Sequence, residues 1–434
     1  MRRLRAVLAT VSSIAIAGSL AVLVAPADAG PAHQLVSVTS AEQGADGDTF
    51  FGQVSRTGRY VLFESNAPNL TTRDREGWYV DVFLRDRGDG TTRLASLGSD
   101  GRPADAAWAS SISPSGRFVA FCSTDPRLAR PDSYNAFDTS PLHPDTDVFV
   151  RDRSTGVTRR ASTTHLGGEA NGWSCDPSVA DTGAVAFRSA ASNLVLGDSN
   201  GVMDVFLYDW PSRSIRRIST TASGGEPPRI SGDGRFIAFY TGGAQISSDT
   251  NHAMDGYLFK RPTNSFERFT RTAAGGQLAI GCETVGLDIS YTGRYALASC
   301  RDGAMANPAL QDKTSHLWRI DRSLRTNQLV NQTPSDYSAV YGASVSDDGG
   351  RVLFSAGAGS YGGNPPDVWD NLYLWRLGSS VQAFTPGETD WWWHYTTELS
   401  GDGRLALFSS NSPLISSQDL NDPYQTDLFL MDVG

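Results

Sequence analysis

The chain has 434 residues, of which 39% are hydrophobic and 10% aromatic, which is enough for a sizeable buried core. Its formal net charge of −10 at pH 7 argues against a function in binding nucleic acid or anionic membranes by electrostatic attraction. The same charge favours cations, basic proteins or neutral sugars as partners.

Residues 1–29 predict a secretory signal peptide. A basic segment over residues 2–5 precedes an apolar run over residues 6–25, and residues 27–29 form a small-residue cleavage motif. An uncleaved membrane anchor is the alternative, because the apolar run is long for a signal peptide. We expect a secreted or cell-envelope protein comprising residues 30–434, with no membrane insertion after cleavage.

Two short motifs alternate along the rest of the chain. The first is a Ser-x-x-Gly turn followed by an apolar strand, and its seven copies are SRTGRYVLF (55–63), SPSGRFVAF (113–121), ADTGAVAF (180–187), SGDGRFIAF (231–239), SYTGRYALA (290–298), SDDGGRVLF (346–354) and SGDGRLALF (400–408). The second is a short strand, often entered through Asp, and its seven copies are DVFLRDR (81–87), DVFVRDR (147–153), DVFLYDW (204–210), DGYLFKR (255–261), HLWRIDR (316–322), NLYLWRL (371–377) and DLFLMDV (427–433). The turn glycine supplies a positive φ, and the aromatic and β-branched residues favour strands. Seven all-strand repeats of roughly 60 residues predict a β-propeller.

One further strand follows every copy of the second motif except the last, as in TTRLAS (91–96). Residues 33–40 have the pattern of the missing strand, placed at the start of the mature chain. We therefore predict an all-β, seven-bladed propeller with four-stranded antiparallel blades, closed by an N-terminal strand that completes the last blade. The predicted blades span 46–97, 104–163, 170–221, 226–272, 278–331, 337–385, and 391–433 with 33–40.

The repeats resemble those of the TolB-type, WD-repeat-like propeller family, whose blades carry S-x-D-G-[RK] turns and D-[LVI]-[YF]-[VL] strands. The SGDGR segments at 231–235 and 400–404 match the turn. The strand pattern is matched at Asp81, Asp147, Asp204, Asp255 and Asp427. This chain has no room for the N-terminal α/β domain of TolB, and it has seven blades where TolB has six. The resemblance implies an exported propeller that serves as a binding or scaffolding surface.

Four cysteines in an exported chain predict two disulfide bonds. Cys282 and Cys300 flank one turn, which favours a bridge across that pair of strands. Cys122 and Cys175 would then join the second strand of blade two to the first strand of blade three. Four cysteines allow three pairings, and buried free thiols are the alternative.

Two loops ahead of the third strands carry oxygen ligands at calcium-like spacing. The candidate ligands are Asp198, Asn200, Asp204, Asp249, Asn251 and Asp255. The full twelve-residue calcium loop is absent, and Asp and Asn also cap turns. We predict no cofactor other than this possible calcium.

Aromatic residues recur eight positions before the turn glycine and predict a partial aromatic ring around the channel. Aromatic faces stack on sugars or grip peptides, although they also pack blades together. The candidate ligand-binding residues are Trp391, Trp393, His394, Tyr395, Trp108 and Tyr341.

No nucleophile elbow or histidine pair with metal spacing marks an active site. We therefore predict a monomeric, non-catalytic module that binds a protein or a cell-envelope glycan, with no catalytic residue assigned. The alternative is a polysaccharide lyase or glycosidase that acts at the channel mouth through Glu226, Glu283, Glu398 and His394.

Overall fold

The computed structural model describes residues 33–72, 79–128, 146–219, 227–282, 285–301, 305, 316–331, 340–357, 370–383, 397–410 and 425–434. They form seven antiparallel sheets of four strands each, as the repeat pattern predicts for a seven-bladed propeller. Within these residues, no helix has the length and apolar character needed to cross a membrane.

Each of the first three blades is made of four consecutive strands. Blade one consists of β2 (Thr49–Val54), β3 (Tyr60–Ser65), β4 (Asp81–Asp86) and β5 (Thr91–Leu94). Blade two consists of β6 (Trp108–Ile112), β7 (Phe118–Ser123), a 3₁₀ turn (Pro126–Leu128), β8 (Asp147–Asp152) and β9 (Val157–Arg160). Blade three consists of β10 (Ser174–Val179), β11 (Val185–Ser189), β12 (Asp204–Asp209) and β13 (Ser214–Arg217).

The remaining blades follow the same order. Blade four consists of β14 (Arg229–Ile230), β15 (Phe236–Thr241), β16 (Asp255–Lys260) and β17 (Ser265–Arg268). Blade five consists of β18 (Asp288–Ile289), β19 (Tyr295–Cys300), β20 (His316–Asp321) and β21 (Thr326–Leu329). Blade six consists of β22 (Val340–Val345), β23 (Arg351–Gly357), β24 (Asp370–Arg376) and β25 (Gln382–Ala383). Blade seven consists of β26 (Thr397–Leu399), β27 (Leu405–Ser410), β28 (Asp427–Asp432) and β1 (His33–Leu35).

The ring closes through β1, which pairs antiparallel with β28 and places His33 opposite Met431. The Ser37 hydroxyl donates a hydrogen bond of 2.6 Å to Asp427. The predicted closure by an N-terminal strand is therefore confirmed. It ties down both ends of the described chain and pairs a strand edge that would otherwise be open.

Six of the seven blades pack through a pair of aromatic side chains on their second and third strands. Six such pairs have ring centroids 5.4 to 6.3 Å apart: Phe63–Phe83, Phe121–Phe149, Phe187–Phe206, Phe239–Tyr257, Phe354–Tyr373 and Phe408–Phe429. Almost all of these rings are fully buried. Rings of this size dominate the apolar area that a propeller buries between its blades.

Both predicted disulfides are present. Cys122 in β7 bonds to Cys175 in β10 and so covalently joins blades two and three. Cys282 bonds to Cys300 at the end of β19, within blade five. The described residues include no free cysteine.

Candidate functional site

The channel of the propeller receives one polar side chain from each innermost strand. These seven residues share one repeat position, five residues before the turn glycine, and they are Gln53, Ser111, Ser178, Arg229, Asp288, Ser344 and Glu398. They help to line a cavity of about 130 Å³. We call them the channel ring.

Most members of the channel ring bind the next blade. In five of the seven, a side-chain oxygen accepts the backbone N–H of the neighbouring innermost strand over 2.8 to 3.2 Å; these acceptors are Gln53, Ser111, Ser178, Asp288 and Ser344. Arg229 cannot accept, and its Nε instead donates to the Leu287 carbonyl over 3.3 Å. The ring therefore satisfies inner-edge backbone groups that have no strand partner on that side.

Three members of the channel ring carry charge: Arg229 in blade four, Asp288 in blade five and Glu398 in blade seven. Burial raises the pKa of Glu398 to about 8, against the opposing charge of Arg229. Asp288 adds to this rise in pKa, and a hydrogen bond with Gln53 opposes it. Burial also raises the pKa of Asp288, again opposed by Arg229. At neutral pH the site therefore combines a protonated carboxyl, a guanidinium and a second carboxyl.

The turns close one end of the channel through a continuous ring of hydrogen bonds. At each junction between adjacent blades, a backbone N–H donates to an oxygen of the next turn over 2.7 to 3.1 Å; the donors are Arg56, Ser115, Asp181, Asp233, Tyr291, Asp347 and Gly401. Five of the seven acceptors are backbone carbonyls, and the other two are the carboxylates of Asp181 and Asp347. The regular spacing follows from the repeated turn.

Two side chains fill the hole inside these turns. Tyr291 of blade five donates through its hydroxyl to Asp181 of blade three over 3.2 Å. Arg56 of blade one lies with its Cζ 4.5 Å from the centre of the Tyr291 ring, and it forms an ion pair with Asp347. A methyl group added at Gly232 would lie 2.2 Å from the Tyr291 ring, so this end has little free space. A ligand would therefore reach the channel ring from the opposite end, where the innermost strands begin.

Only two of the six candidate ligand-binding residues, Trp108 and Tyr341, lie within the described part of the chain. Trp391, Trp393, His394 and Tyr395 lie outside the described residues, as do Glu226 and Glu283. Tyr341 lies in β22.

Trp108, at the start of β6, packs instead against the buried core shared by blades two and three, near Cys122 and Cys175. A β-bulge between Trp108 and Ser111, with Ala109 at φ +48°, accompanies this placement. Ligand binding by the aromatic residues stays a prediction.

In the first candidate calcium loop, the carboxylates already face a cationic side chain. The Nη1 of Arg217 lies 2.7 Å from Asp198 and 3.4 Å from Asp204. Asn200 turns its amide nitrogen toward Asp204, over 2.8 Å, and so offers that carboxylate a donor. The Ser219 hydroxyl donates to the other oxygen of Asp204 over 2.6 Å.

The second candidate loop has the same arrangement. The Nη1 of Arg268 lies 3.6 Å from Asp249 and 3.7 Å from Asp255, and Asn251 donates to a backbone carbonyl. Burial raises the pKa of Asp255 to about 6. In the described part of the chain, no three His, Cys, Asp or Glu side chains are grouped to hold a metal. The geometry favours a capping role for these residues, and calcium binding stays a prediction.

Sequence reasoning considered Glu398 but missed its partners Asp288 and Arg229. The aromatic residues recur eight positions before the turn glycine, which is a different repeat position from that of the channel ring. Aligning the seven turns and reading the position five before the glycine would have found the channel ring, because every repeat is polar there.

Comparisons with known proteins support the fold. No family model matches the chain, and no curated protein matches it. The β-propeller domain of the Trilobed protease from Pyrococcus furiosus matches with a TM-score of 0.51 and 11% identity, covering 89% of this chain and 96% of that one. An oligogalacturonate lyase from Vibrio parahaemolyticus matches with a TM-score of 0.55 and 11% identity, covering 93% and 97%.

A third solved structure, an oligogalacturonate lyase in complex with manganese, matches with a TM-score of 0.52 and 12% identity, covering 93% of this chain and 98% of that one. At such identities the likeness shows the propeller fold alone, since one fold serves many functions.

Proposed function

We propose that this protein is an exported carbohydrate-active enzyme, a lyase or glycosidase of acidic oligosaccharides, with its active site in the channel. The observation that carries the proposal is the grouping of half-buried Glu398 with Asp288 and Arg229 in the channel, where desolvation raises the pKa of Glu398 to about 8. Carboxyls with strongly shifted pKa values cluster at functional sites. The likeness in fold to two oligogalacturonate lyases supports the substrate class by analogy, and two disulfides support export.

The three charged side chains suit acid–base chemistry on a glycosidic bond. Protonated Glu398 would donate its proton to the leaving oxygen, and Asp288 would act as the base or nucleophile. Arg229 would bind the carboxylate of a uronic acid. In an elimination, the base removes the proton beside that carboxylate, the carbon–oxygen bond breaks, and the sugar keeps a carbon–carbon double bond.

The test is an assay of the full chain with oligogalacturonate, other uronate-containing oligosaccharides and a neutral oligosaccharide. Elimination produces an unsaturated sugar that absorbs ultraviolet light, whereas hydrolysis produces reducing ends without that absorbance. We expect Glu398→Gln and Asp288→Asn to lower kcat by about 10²- to 10⁴-fold, which is the usual contribution of a general acid or base.

Ser111→Ala is the matched control, because Ser111 belongs to the same channel ring, carries no charge and accepts its hydrogen bond from Val179 of blade three, which holds none of the three charged residues. It should keep kcat within a few-fold of wild type. Absence of cleavage in every substrate, or equal kcat in wild type and Glu398→Gln, would contradict the enzymatic proposal.

A second candidate function is a non-catalytic, TolB-like module that binds a protein or glycan on its loops. The observation that favours it is the size of the channel: about 130 Å³ is below the roughly 300–1,000 Å³ of most ligand pockets. Thermal unfolding with a panel of cell-wall glycans and peptides tests this candidate, because a ligand of the native state raises Tm.

A further inference from the structure

An internal ion pair recurs in four of the seven blades. The Arg directly after the turn glycine pairs with the Asp that ends the third strand of the same blade. The four pairs are Arg59–Asp86 at 2.9 Å, Arg117–Asp152 at 2.7 Å, Arg294–Asp321 at 2.8 Å and Arg404–Asp432 at 3.8 Å. The strand register sets each pair, because the residue after the Arg lies opposite the Asp.

Blade four keeps the Arg and replaces the Asp. Arg235 follows Gly234 in the usual position, but Phe236 lies opposite Lys260, where the four blades with the ion pair have the acid. Arg235 is exposed, and among the described residues no carboxylate forms an ion pair with it. Blade four therefore presents a guanidinium that its own sheet does not neutralise.

Two more guanidinium groups share the space beside Arg235. Arg216 and Arg261 line, together with Arg235, a cavity of about 410 Å³ between blades three and four. Arg216 lies with its Cζ 4.4 Å from the centre of the Phe259 ring. Burial lowers the pKa of Arg216, and the charge of Arg261 lowers it further, so these cations are crowded. We call this cavity the blade three–four pocket.

The acids that line the blade three–four pocket are already engaged. Asp209 accepts a hydrogen bond of 3.1 Å from Arg261. Asp233 accepts the Ser231 hydroxyl over 2.7 Å and the backbone N–H of Arg235 over 3.0 Å, and so caps its own turn. Three guanidinium groups thus face one cavity in a chain whose net charge is −10.

We propose that the blade three–four pocket binds an oxyanion: a carboxylate, a sulfate or a phosphate. Guanidinium groups recognise such anions through paired, charge-assisted hydrogen bonds, and Arg235 keeps its donors for them. The pocket has the volume of a small-ligand site. It is separate from the channel ring, so this proposal does not depend on the enzymatic one.

The test is isothermal titration of the full chain with inorganic phosphate, sulfate, oligogalacturonate and a neutral malto-oligosaccharide. We expect the anions to bind and the neutral sugar not to bind. Lys260→Asp introduces the acid of the four ion-paired blades and gives Arg235 an internal partner, so it should weaken anion binding about tenfold or more. Arg235→Gln should weaken binding by a similar factor.

Arg404→Gln is the matched control, because Arg404 holds the same repeat position in blade seven and lines no part of the pocket. It should leave the Kd for anions unchanged. Lys260 also pairs with Glu267 at 3.7 Å, so Tm is measured for every variant, and Arg235→Gln tests the pocket without disturbing that pair. A preference for oligogalacturonate would assign the pocket to acidic sugars, and equal affinities would assign it to free anions; both support the proposal. No anion binding, or an unchanged Kd in Lys260→Asp and Arg235→Gln, would overturn the proposal of an anion site. Neither result would affect cleavage activity in the channel.

Discussion

The carboxyl of Glu398 interacts with side chains from three other blades. Gln53 of blade one forms a hydrogen bond with it, and the charges of Arg229 in blade four and Asp288 in blade five act on it from across the channel. Only the closed ring brings these residues together. The carboxyl keeps its proton at neutral pH because burial disfavours the charged form more than Arg229 favours it.

This raised pKa makes the free energy of unfolding depend on pH. Since the pKa of Glu398 is about 8 in the folded protein and ordinarily 4.5, its protonated form stabilises the fold fully below pH 4.5. That stabilisation is lost as the pH rises through about 8. Glu398→Gln imitates the protonated side chain at every pH, so the variant should become progressively more stable than wild type across this window.

Urea unfolding of both proteins at several pH values measures the effect, which can reach about 1.4 kcal/mol per pH unit for one proton. The other acids titrate in both proteins and largely cancel in the comparison. A difference in the free energy of unfolding that does not change with pH would show that Glu398 does not hold its proton.

At the scale of elements, the Ser-x-x-Gly turn joins the first two strands of each blade and contacts the blade next to it. In blade two, Gly116 has a φ of +75°, and its N–H donates to the Ser113 carbonyl over 2.7 Å. The Ser113 hydroxyl accepts the N–H of Phe118 over 3.1 Å. A Cβ on Gly116 would lie 2.2 Å from the ring of Tyr60 in blade one. Glycine is therefore required by both the backbone conformation and the packing.

Two alanine substitutions separate these requirements. Gly101 has a φ of +77°, and a Cβ there would contact nothing within 4 Å. Gly101→Ala should lower the free energy of unfolding by about 1–2 kcal/mol for the left-handed backbone alone. Gly116→Ala should lower it by about 1–3 kcal/mol more, because the Tyr60 ring must also move. Chemical unfolding of both variants measures the two values, and equal losses would disprove the contact with Tyr60.

At the scale of the whole molecule, the two disulfides constrain different lengths of chain. The Cys122–Cys175 bond joins two blades across 53 residues, whereas Cys282–Cys300 lies within one blade and spans 18 residues. A cross-link restricts the unfolded chain more when the loop it closes is longer.

Removing the bond between blades should therefore be the more destabilising change. We expect the Cys122→Ala/Cys175→Ala variant to lose roughly 4 kcal/mol and the Cys282→Ala/Cys300→Ala variant roughly 3 kcal/mol, by loop-closure entropy. Guanidinium unfolding of the two double variants under identical conditions provides the comparison. A larger loss in the blade-five variant would mean that local packing, and not loop length, dominates.

Much of the fold could be predicted because every repeat carries similar residues at the positions that form its turn and its strands. The seven turn glycines, the strand Asp residues and the missing outer strand near Ser37 follow from local propensity and from counting. The recurring Asp at the start of the third strand binds a hydroxyl that follows the outermost strand. Asp81 accepts the Ser96 hydroxyl over 3.0 Å, and Asp147 accepts that of Ser162 over 2.6 Å. Both disulfide pairings were predictable for the same reason, since strand order places the cysteines together.

The charged part of the channel ring was not predictable from local pattern. Arg229, Asp288 and Glu398 share only the repeat position five before the turn glycine, which is polar in every blade, so the pattern does not single out these three. The raised pKa of Glu398 comes from burial at the centre of the ring, which no single repeat encodes. The sequence shows Lys260 in place of the usual Asp. That this leaves Arg235 without its ion-pair partner in the sheet follows only from the strand register.

The pairing of β1 with β28 also determines when during synthesis the ring can be completed. The bond between Ser37 and Asp427 joins residues 390 positions apart, close to the greatest separation this chain allows. β1 leaves the ribosome before any other strand described, and it has no sheet partner until β28 follows. Blades one to six form from neighbouring sequence, so they can assemble in order while synthesis continues. Because the entropy of loop closure grows only with the logarithm of loop length, the late pairing delays folding far more than it weakens the finished ring.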